Sequence, residues 1–144
     1  MKNTANKKDD YAFYYSLSTR WKDNDVYGHI NNVVYYEYFD TAVNLWLIEN
    51  NLLDFKNGEI VGFIVKSGCD FISPISHPCV IFAGIRVGKI CNSYVIYEIG
   101  LFADKNVLAS AQGFFTHVYV SRKTQRPIYL STNFRKKLSN LIVK

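Results

Sequence analysis

One long, almost entirely apolar segment, residues 33–48, constrains the fold more than any other feature of this sequence. When these residues are placed on a helix, the polar side chains form a single narrow stripe, made of Glu37, Asp40, Thr41 and Asn44. A helix that is apolar around most of its circumference must be enclosed on most sides. Asn31 and Asn32 are both suitable N-cap residues, and polar side chains return at residues 50–51, so the sequence predicts a helix between these points.

Most of the sequence outside this helix has the pattern of β-strands. Alternation and β-forming residues predict a first strand before the helix, at residues 13–21, and four longer strands after it, at residues 60–71, 80–90, 94–103 and 107–120. The turns between the last three strands are short, which predicts an antiparallel meander. Residues 133–143 are predicted to form a short, basic C-terminal helix.

The packing of one enclosed helix against several long strands determines the fold. A flat sheet would cover only one side of the helix, whereas a strongly twisted sheet can curl around it. We therefore predict an α+β protein with the hot-dog fold, in which a curved antiparallel sheet of about five strands wraps a long central helix. A chain of 144 residues is most simply one domain, here residues 11–144, and the polar residues 1–10 are predicted to be a disordered tail.

Composition and cysteine usage exclude several classes of protein. Hydrophobic residues make up 49% and charged residues 20% of the chain, which is typical of a globular protein rather than a disordered one. No stretch reaches the roughly 18 consecutive apolar residues of a membrane span, and the N-terminus lacks the apolar core of a signal peptide. Cys69, Cys79 and Cys91 are scattered and form no C-x-x-C pair, so reduced thiols and a cytoplasmic location are predicted.

The residues that precede the helix, 20–32, concentrate chemically useful groups. Two carboxylates, Asp23 and Asp25, are followed by Gly28, His29 and two asparagines. The start of a helix leaves backbone N–H groups unpaired and carries positive potential, so it can hold an anionic oxygen. An acid on the entering loop, opposite those N–H groups, is the arrangement needed to attack a carbonyl.

The same loop carries a longer signature, because residues 23–35 read DNDVYGHINNVVY, a D-x-D-x-x-G-H-(I/V)-N-N-x-x-Y pattern. With the order of elements and the turn at residues 120–127, this pattern resembles the hot-dog thioesterases of the 4-hydroxybenzoyl-CoA thioesterase-like group, which include acyl-CoA and plant acyl-ACP thioesterases. The resemblance spans residues 13–141. It implies hydrolysis of an acyl thioester, carried by CoA or by an acyl-carrier protein, without a metal or organic cofactor.

The resemblance also implies roles for individual residues of the loop. In that family the second acid of the pair is the catalytic carboxylate, which here is Asp25, either as the nucleophile on the thioester carbonyl or as the general base for a water molecule. Backbone N–H groups near Asn31 and Asn32 would hold the oxyanion. At least one of these asparagines is also expected to cap the helix.

The other positions of the motif leave alternatives open. Asp23 is expected to shape the loop through backbone hydrogen bonds, and Gly28 to allow a backbone geometry or a close approach that a Cβ would obstruct. His29 is either a partner of Asp25, through water, a hydrogen bond or a proton, or a structural histidine. Tyr35 belongs either to the pocket wall or to the core.

Basic residues after the last strand supply much of the net charge of +5, and the three beside the family turn are Arg122, Lys123 and Arg126. They are either partners for the phosphates of CoA or charges on a solvated face. No RNA- or DNA-binding motif accompanies them, so nucleic-acid binding is not predicted. His77 and His117 have no neighbours at metal-ligand spacing, so no metal site is predicted.

Two other functions compete with thioester hydrolysis. A hot-dog hydratase or dehydratase also pairs an acid with a histidine, and a non-catalytic module could bind an acyl thioester without cleaving it. We also predict a homo-oligomer, a dimer or tetramer with sites at the subunit boundary, because a lone sheet leaves edge strands unpaired. The family resemblance implies the same, since hot-dog thioesterases are dimers, often paired into tetramers, in which both chains line each pocket.

Overall fold

Helix α1 (Asn32–Glu49) lies across one face of a five-stranded antiparallel sheet in the computed structural model, which describes residues 4–143. The strands are β1 (Phe13–Ser18), β2 (Ile60–Phe71), β3 (Val80–Ile90), β4 (Tyr94–Ala103) and β5 (Ala111–Ser121), and a second helix, α2 (Thr132–Leu138), follows them. Single turns of 3-10 helix lie at Lys8–Asp10, Trp21–Asp23 and Ser139–Leu141. This architecture confirms the predicted α+β hot-dog fold.

The strand order in the sheet is β1-β3-β4-β5-β2, so β1 and β2 are the edge strands. Strands β3, β4 and β5 form the predicted antiparallel meander. Strand β2 pairs with β5 along its whole length, from Ile60 opposite Ser121 to Phe71 opposite Ala111. Because a strand rises about 3.3 Å per residue, the two ends of β2 lie roughly 35 Å apart along the strand.

The core forms between α1 and the central strands. From α1 it takes Tyr35, Tyr38, Phe39, Ala42, Val43, Trp46 and Leu47. The helix approaches the sheet closely at Gly113, where a Cβ would lie 2.5 Å from the ring of Phe39. The helix is not enclosed on every side, because Val33 and Ile48 are exposed and Tyr36 is only half-buried.

Strand β1 and helix α2 both end earlier than predicted. Strand β1 stops at Ser18 rather than at residue 21, because the Asp23 carboxylate accepts the N–H of Arg20 (2.9 Å) and closes a 3-10 turn. Helix α2 ends at Leu138, and a 3-10 turn replaces its predicted continuation to residue 143. The predicted bounds of β2, β3 and β4 are confirmed, and Asn31 is the N-cap of α1. None of the helices described has the length and apolarity needed to cross a membrane.

Residues 4–10 differ from the predicted disordered tail, because they pack against the face of the sheet opposite α1. The N–H of Asn6 donates to Oε1 of Gln112 (2.9 Å), and Lys7 forms an isolated β-bridge with Leu108. This pairing engages the residues before β5, which starts at Ala111 instead of residue 107. The predicted disorder of residues 1–3 concerns positions outside those the structure describes.

Candidate active site

Asp25 lies on a tight turn between the Trp21–Asp23 3-10 turn and α1. Its N–H donates to the carbonyl of His29 (2.8 Å), and the N–H of Gly28 donates to the Asp25 carbonyl (3.1 Å). Gly28 has a φ of 79°, a left-handed conformation that favours glycine, whereas a Cβ at this position would meet no atom within 4 Å. Gly28 therefore serves the backbone geometry of the turn and not a close approach.

Within residues 4–143, one oxygen of the Asp25 carboxylate accepts a hydrogen bond and the other does not. Oδ1 accepts the N–H of Tyr27 (2.9 Å), the hydrogen bond of an Asx turn. Within residues 4–143, Oδ2 accepts no hydrogen bond. Because Asp25 is half-buried and lines a pocket, the second oxygen is available to a bound ligand.

The pocket beside Asp25 has a volume of about 400 Å³ and two walls. The turn and the start of α1 form one wall, and the end of β2 with the loop after it forms the other. Tyr35 packs edge-on against Phe71, with ring centroids 5.0 Å apart, and this contact joins the walls. Burial raises the pKa of the Tyr35 hydroxyl, so this group stays protonated at neutral pH. The lining residues are Asp25, His29, Ile30, Asn31, Asn32, Tyr35, Phe71, Ile72, Ser73 and Pro74.

Only some of the backbone N–H groups at the start of α1 are available to a ligand. The Asn31 side chain caps the helix by accepting the N–H of Val33 (3.0 Å), and the Asn31 N–H donates to the carbonyl of Asp23 (2.9 Å). The N–H of Asn32 makes no hydrogen bond in the part of the chain that the structure describes. The predicted oxyanion site near Asn31 and Asn32 thus narrows to the Asn32 N–H, at the positive end of the helix.

Asp23 stabilises the turn through its buried carboxylate. Its carboxylate is only 1% exposed and accepts three hydrogen bonds, from the N–H of Arg20 (2.9 Å), from Arg20 Nε (3.0 Å) and from the Tyr38 hydroxyl (2.7 Å). Burial by itself raises the pKa of the Asp23 carboxyl, but the hydrogen bonds from Tyr38 and Arg20 outweigh it and lower this pKa below its usual value. A charged Asp23 therefore links the loop to Arg20, just after β1, and to Tyr38 of α1.

His29 lies in the pocket wall but is not joined to Asp25 by a side-chain hydrogen bond in this structure. Its backbone carbonyl holds the turn, and its ring is exposed beside the cavity. The structure thus brings His29 into the site without pairing it with the acid. No three His, Cys, Asp or Glu side chains within residues 4–143 lie close enough together to hold a metal ion.

The basic cluster predicted to bind CoA lies far from this pocket, and its members are Arg122, Lys123 and Arg126. All three side chains are exposed, and Arg122 Nε donates to the carbonyl of Gly58 (2.5 Å), so this guanidinium closes the loop before β2. The cluster follows Ser121, opposite Ile60, and the pocket adjoins Phe71 at the other end of β2, roughly 35 Å away along the strand. A single chain does not bring its basic cluster to its own Asp25.

The second wall of the pocket is the part of the site that sequence reasoning missed. Residues 71–74 are predicted from sequence only as the end of a strand and a turn. They lie far from Asp25 in the chain and reach it because β2 ends beside the start of α1. No local pattern in this segment marks it as part of a site.

Comparison with known proteins relates this geometry to a family. The sequence model of the thioesterase-like superfamily matches residues 19–138. The PA5185 protein of Pseudomonas aeruginosa strain PAO1 is 43% identical, with a TM-score of 0.93 over 97% of this chain and 98% of that one. A thioesterase of Thermus thermophilus, crystallised with coenzyme A and Zn, is 22% identical, with a TM-score of 0.75 over 90% and 93% of the two chains. The uncharacterized protein YsmA of Bacillus subtilis strain 168 is 24% identical over 68 residues, so the match spans about half the length of this curated relative (46%).

The superfamily match includes both walls of the pocket and the whole of α1, β2, β3, β4 and β5. The observed sheet order and the central helix supply the fold that this family requires. The chain therefore belongs to the thioesterase-like superfamily and has the hot-dog fold.

Proposed function

We propose that this protein hydrolyses acyl-CoA thioesters, with Asp25 as the catalytic carboxylate. One observation carries the proposal: within residues 4–143, the Asp25 carboxylate has an oxygen with no protein donor, in a pocket that also contains the unpaired N–H of Asn32. A thioester carbonyl held at this N–H would lie beside the acid. The relative from T. thermophilus that binds coenzyme A favours CoA as the carrier of the acyl group.

The proposed chemistry has two forms that share one oxyanion. As a nucleophile, the free oxygen of Asp25 attacks the thioester carbon, the C–S bond breaks, the CoA thiolate leaves, and water then hydrolyses the acyl–aspartyl anhydride. As a general base, Asp25 takes a proton from water, whose oxygen attacks the same carbon, and the proton passes to the departing sulfur. In both forms the carbonyl oxygen gains negative charge, which the Asn32 N–H and the positive end of α1 stabilise.

Asp25→Asn tests the proposal. The amide keeps the shape of the side chain and an oxygen for the Tyr27 N–H, but it lacks the charge that a nucleophile or a base needs. We expect turnover to fall by roughly a thousandfold or more, as when a catalytic nucleophile or base is removed. The measurement is the release of free thiol from a panel of saturated acyl-CoA esters, since a hydratase or a binding module would release none.

Asp23→Asn is the matched control, because it makes the same chemical change two residues away. This variant leaves Arg20 and Tyr38 facing a neutral amide, so it should lower the free energy of unfolding by about 2 kcal/mol while changing turnover less than Asp25→Asn does. Full thiol release by Asp25→Asn would show that the acid is not catalytic. Equal losses of turnover in both variants would show that the loop, and not the charge of Asp25, is what matters.

We further propose that two copies of the chain pair through β2. This edge strand exposes large apolar residues on both of its faces, among them Phe63, Ile64, Val65 and Phe71. Its free edge also presents unpaired backbone N–H and C=O groups, which a second strand can satisfy. A two-fold axis at the middle of β2 would make the two strands antiparallel and continue the sheet across the subunits.

Such a dimer would bring the basic cluster of one chain close to the Asp25 carboxylate of the other. In an antiparallel β2 pair, the Ile60 end of one strand lies beside the Phe71 end of the other. Lys123 and Arg126 would then reach the pocket of the partner subunit, where the phosphates of CoA would extend from the thioester. The proposed site is therefore shared: one chain supplies Asp25 and the other supplies basic side chains.

A further inference from the structure

His77 does not line the Asp25 pocket, but it helps to hold the two walls of the pocket together, as do the Tyr35–Phe71 contact and the hydrogen bond from the Ile30 N–H to the Ile75 carbonyl (2.7 Å). His77 lies in the loop between β2 and β3, three residues after Pro74 of the pocket wall. Its N–H donates to Oδ1 of Asn24 (3.0 Å), and Nδ2 of Asn24 donates back to the His77 carbonyl (3.4 Å). Because Asn24 immediately precedes Asp25, this reciprocal pair links the second wall directly to the catalytic turn.

The imidazole ring of His77 makes a second attachment, to the end of β1. Its Nδ1 lies 2.7 Å from Oγ1 of Thr19, a buried hydroxyl that also accepts the N–H of Cys79 (2.9 Å) and donates to the Cys79 carbonyl (2.9 Å). On the exposed side, Trp21 packs edge-on against the ring, with centroids 6.3 Å apart. The ring is thus held between β1, the 3-10 turn and its own loop.

For a neutral imidazole ring, the proton count at Thr19 assigns the tautomer of His77. A hydroxyl carries one proton and two lone pairs. If that proton went to His77, the Thr19 oxygen and the Cys79 carbonyl oxygen would lie 2.9 Å apart with no proton between them, which is repulsive. When His77 Nδ1–H is the donor, all three contacts of the hydroxyl are satisfied: it accepts from Nδ1 and from the Cys79 N–H, and donates to the carbonyl.

We infer that His77, as the Nδ1–H tautomer, is a positioning residue for Asp25. Its backbone bonds Asn24 and its ring bonds Thr19, just after β1, so both attachments help to set the separation between Asp25 and the Ser73–Pro74 wall. The inference rests on the proposed catalytic role of Asp25. Since misplacement of a catalytic group by about 1 Å can slow a reaction by roughly a hundredfold, loosening this clamp should lower kcat more than it weakens substrate binding.

The test compares His77→Ala with His77→Asn. An asparagine side chain can present an N–H to Thr19 in place of Nδ1–H, whereas alanine cannot. We expect kcat for the best acyl-CoA ester to fall roughly ten- to a hundredfold in His77→Ala with little change in KM, and to recover to within about threefold of wild type in His77→Asn. A folded His77→Ala protein with wild-type kcat would overturn the inference, and so would a His77→Asn variant as impaired as His77→Ala.

Two further measurements keep the inference testable if His77→Ala does not fold. Nitrogen-15 NMR of the wild-type protein should show a pyrrole-type Nδ1 and a pyridine-type Nε2 for His77, and the opposite pattern would refute the assigned tautomer. Asn24→Ala removes the other half of the clamp and should also lower kcat selectively. Asp25→Asn, assayed in parallel, separates the two proposals: if it retains activity, the proposed function fails, whereas an inactive Asp25→Asn beside fully active His77 and Asn24 variants refutes the positioning role alone.

Discussion

Two aspartates that are two positions apart, Asp23 and Asp25, differ in role because their surroundings differ. Asp23 is buried, and its carboxylate accepts hydrogen bonds from Arg20 and Tyr38, so its charge stabilises the fold. Asp25 receives one backbone N–H and keeps an oxygen free beside a cavity. A buried carboxylate with saturated hydrogen bonds cannot approach a substrate, whereas a partly solvated one can. The structure therefore distinguishes residues that the sequence presents as a pair.

A second buried polar side chain, His117 on β5, is isolated from other polar groups. It is 3% exposed, and neither ring nitrogen has a hydrogen-bond partner within residues 4–143. Its neighbours are aromatic rings, Tyr97 at 5.1 Å and Phe115 at 6.2 Å between centroids. Burial lowers the pKa of His117 to about 4, because a charged imidazole would lose its hydration without gaining a partner.

This lowered pKa predicts a loss of stability in mild acid. An unfolded chain binds a proton at His117 below a pH of about 6.5, whereas the folded chain does not until about pH 4, so the free energy of unfolding falls as pH decreases through this window. Between pH 7 and pH 5 the contribution of His117 amounts to about 2 kcal/mol. His117→Phe should remove it, and urea unfolding of both proteins at the two pH values measures the difference.

The change in the free energy of unfolding between pH 7 and pH 5 is compared within each protein. This comparison separates the titration of His117 from any effect of the substitution on packing. Any effect of the larger phenylalanine ring on packing is present at both pH values and cancels. If the wild type and His117→Phe lose equal stability between pH 7 and pH 5, then His117 is not the group responsible.

At the scale of elements, the parts that could be predicted from the sequence are those that local pattern determines. The bounds of β2, β3 and β4 follow from alternation and turn residues, and the start of α1 follows from the Asn31 cap. The motif residues of the site are predicted because they are contiguous. The start of β5, the packing of residues 4–10 and the wall at residues 71–74 could not be predicted, because each depends on contacts between distant parts of the chain.

The N-terminal segment offers a test of one such distant contact. Tyr11 packs where two glycines leave room: a Cβ at Gly100 would lie 2.5 Å from its ring, and one at Gly84 would lie 2.8 Å from it. Gly100→Ala should therefore displace residues 4–11 from the sheet. We expect amide exchange at Asn6 and Ala109, which bond across this contact, to accelerate by roughly tenfold or more while the central strands stay protected.

A double variant serves as the control for this contact. In a Tyr11→Ala background the ring is absent, so adding Gly100→Ala should produce no further acceleration at Asn6. A full additional effect in that background would mean that Gly100 matters for the sheet itself and not for the seating of Tyr11.

For the whole molecule, the exposed apolar residues of β2 predict an assembly. Sedimentation equilibrium at micromolar concentration should give a mass of at least twice the 16.6 kDa of one chain. A charged substitution on this strand, Val65→Lys, should shift the equilibrium toward monomer and lower activity in parallel, because each site would lose the partner's residues. A fully active monomer would show that one chain completes its own site.

Mixed dimers decide whether the basic cluster serves the partner's pocket. Lys123→Ala/Arg126→Ala removes charge and leaves Arg122 on the Gly58 carbonyl. Alone, this variant should have a raised KM for acyl-CoA but not for a thioester that lacks the nucleotide, such as an N-acetylcysteamine ester. It is then co-expressed with Asp25→Asn, each chain carrying a different affinity tag, and the heterodimer is purified.

The heterodimer contains one site with Asp25 from the first chain and Lys123 and Arg126 from the second, and one site with neither. If the cluster acts across the interface, the heterodimer should show about half of the wild-type kcat/KM for acyl-CoA, since one of the two sites is intact. If the cluster acts within its own chain, no site has both the acid and the basic side chains, and the heterodimer should do no better than half of the Lys123→Ala/Arg126→Ala homodimer. The roughly 35 Å between the two groups along β2 favours the first result.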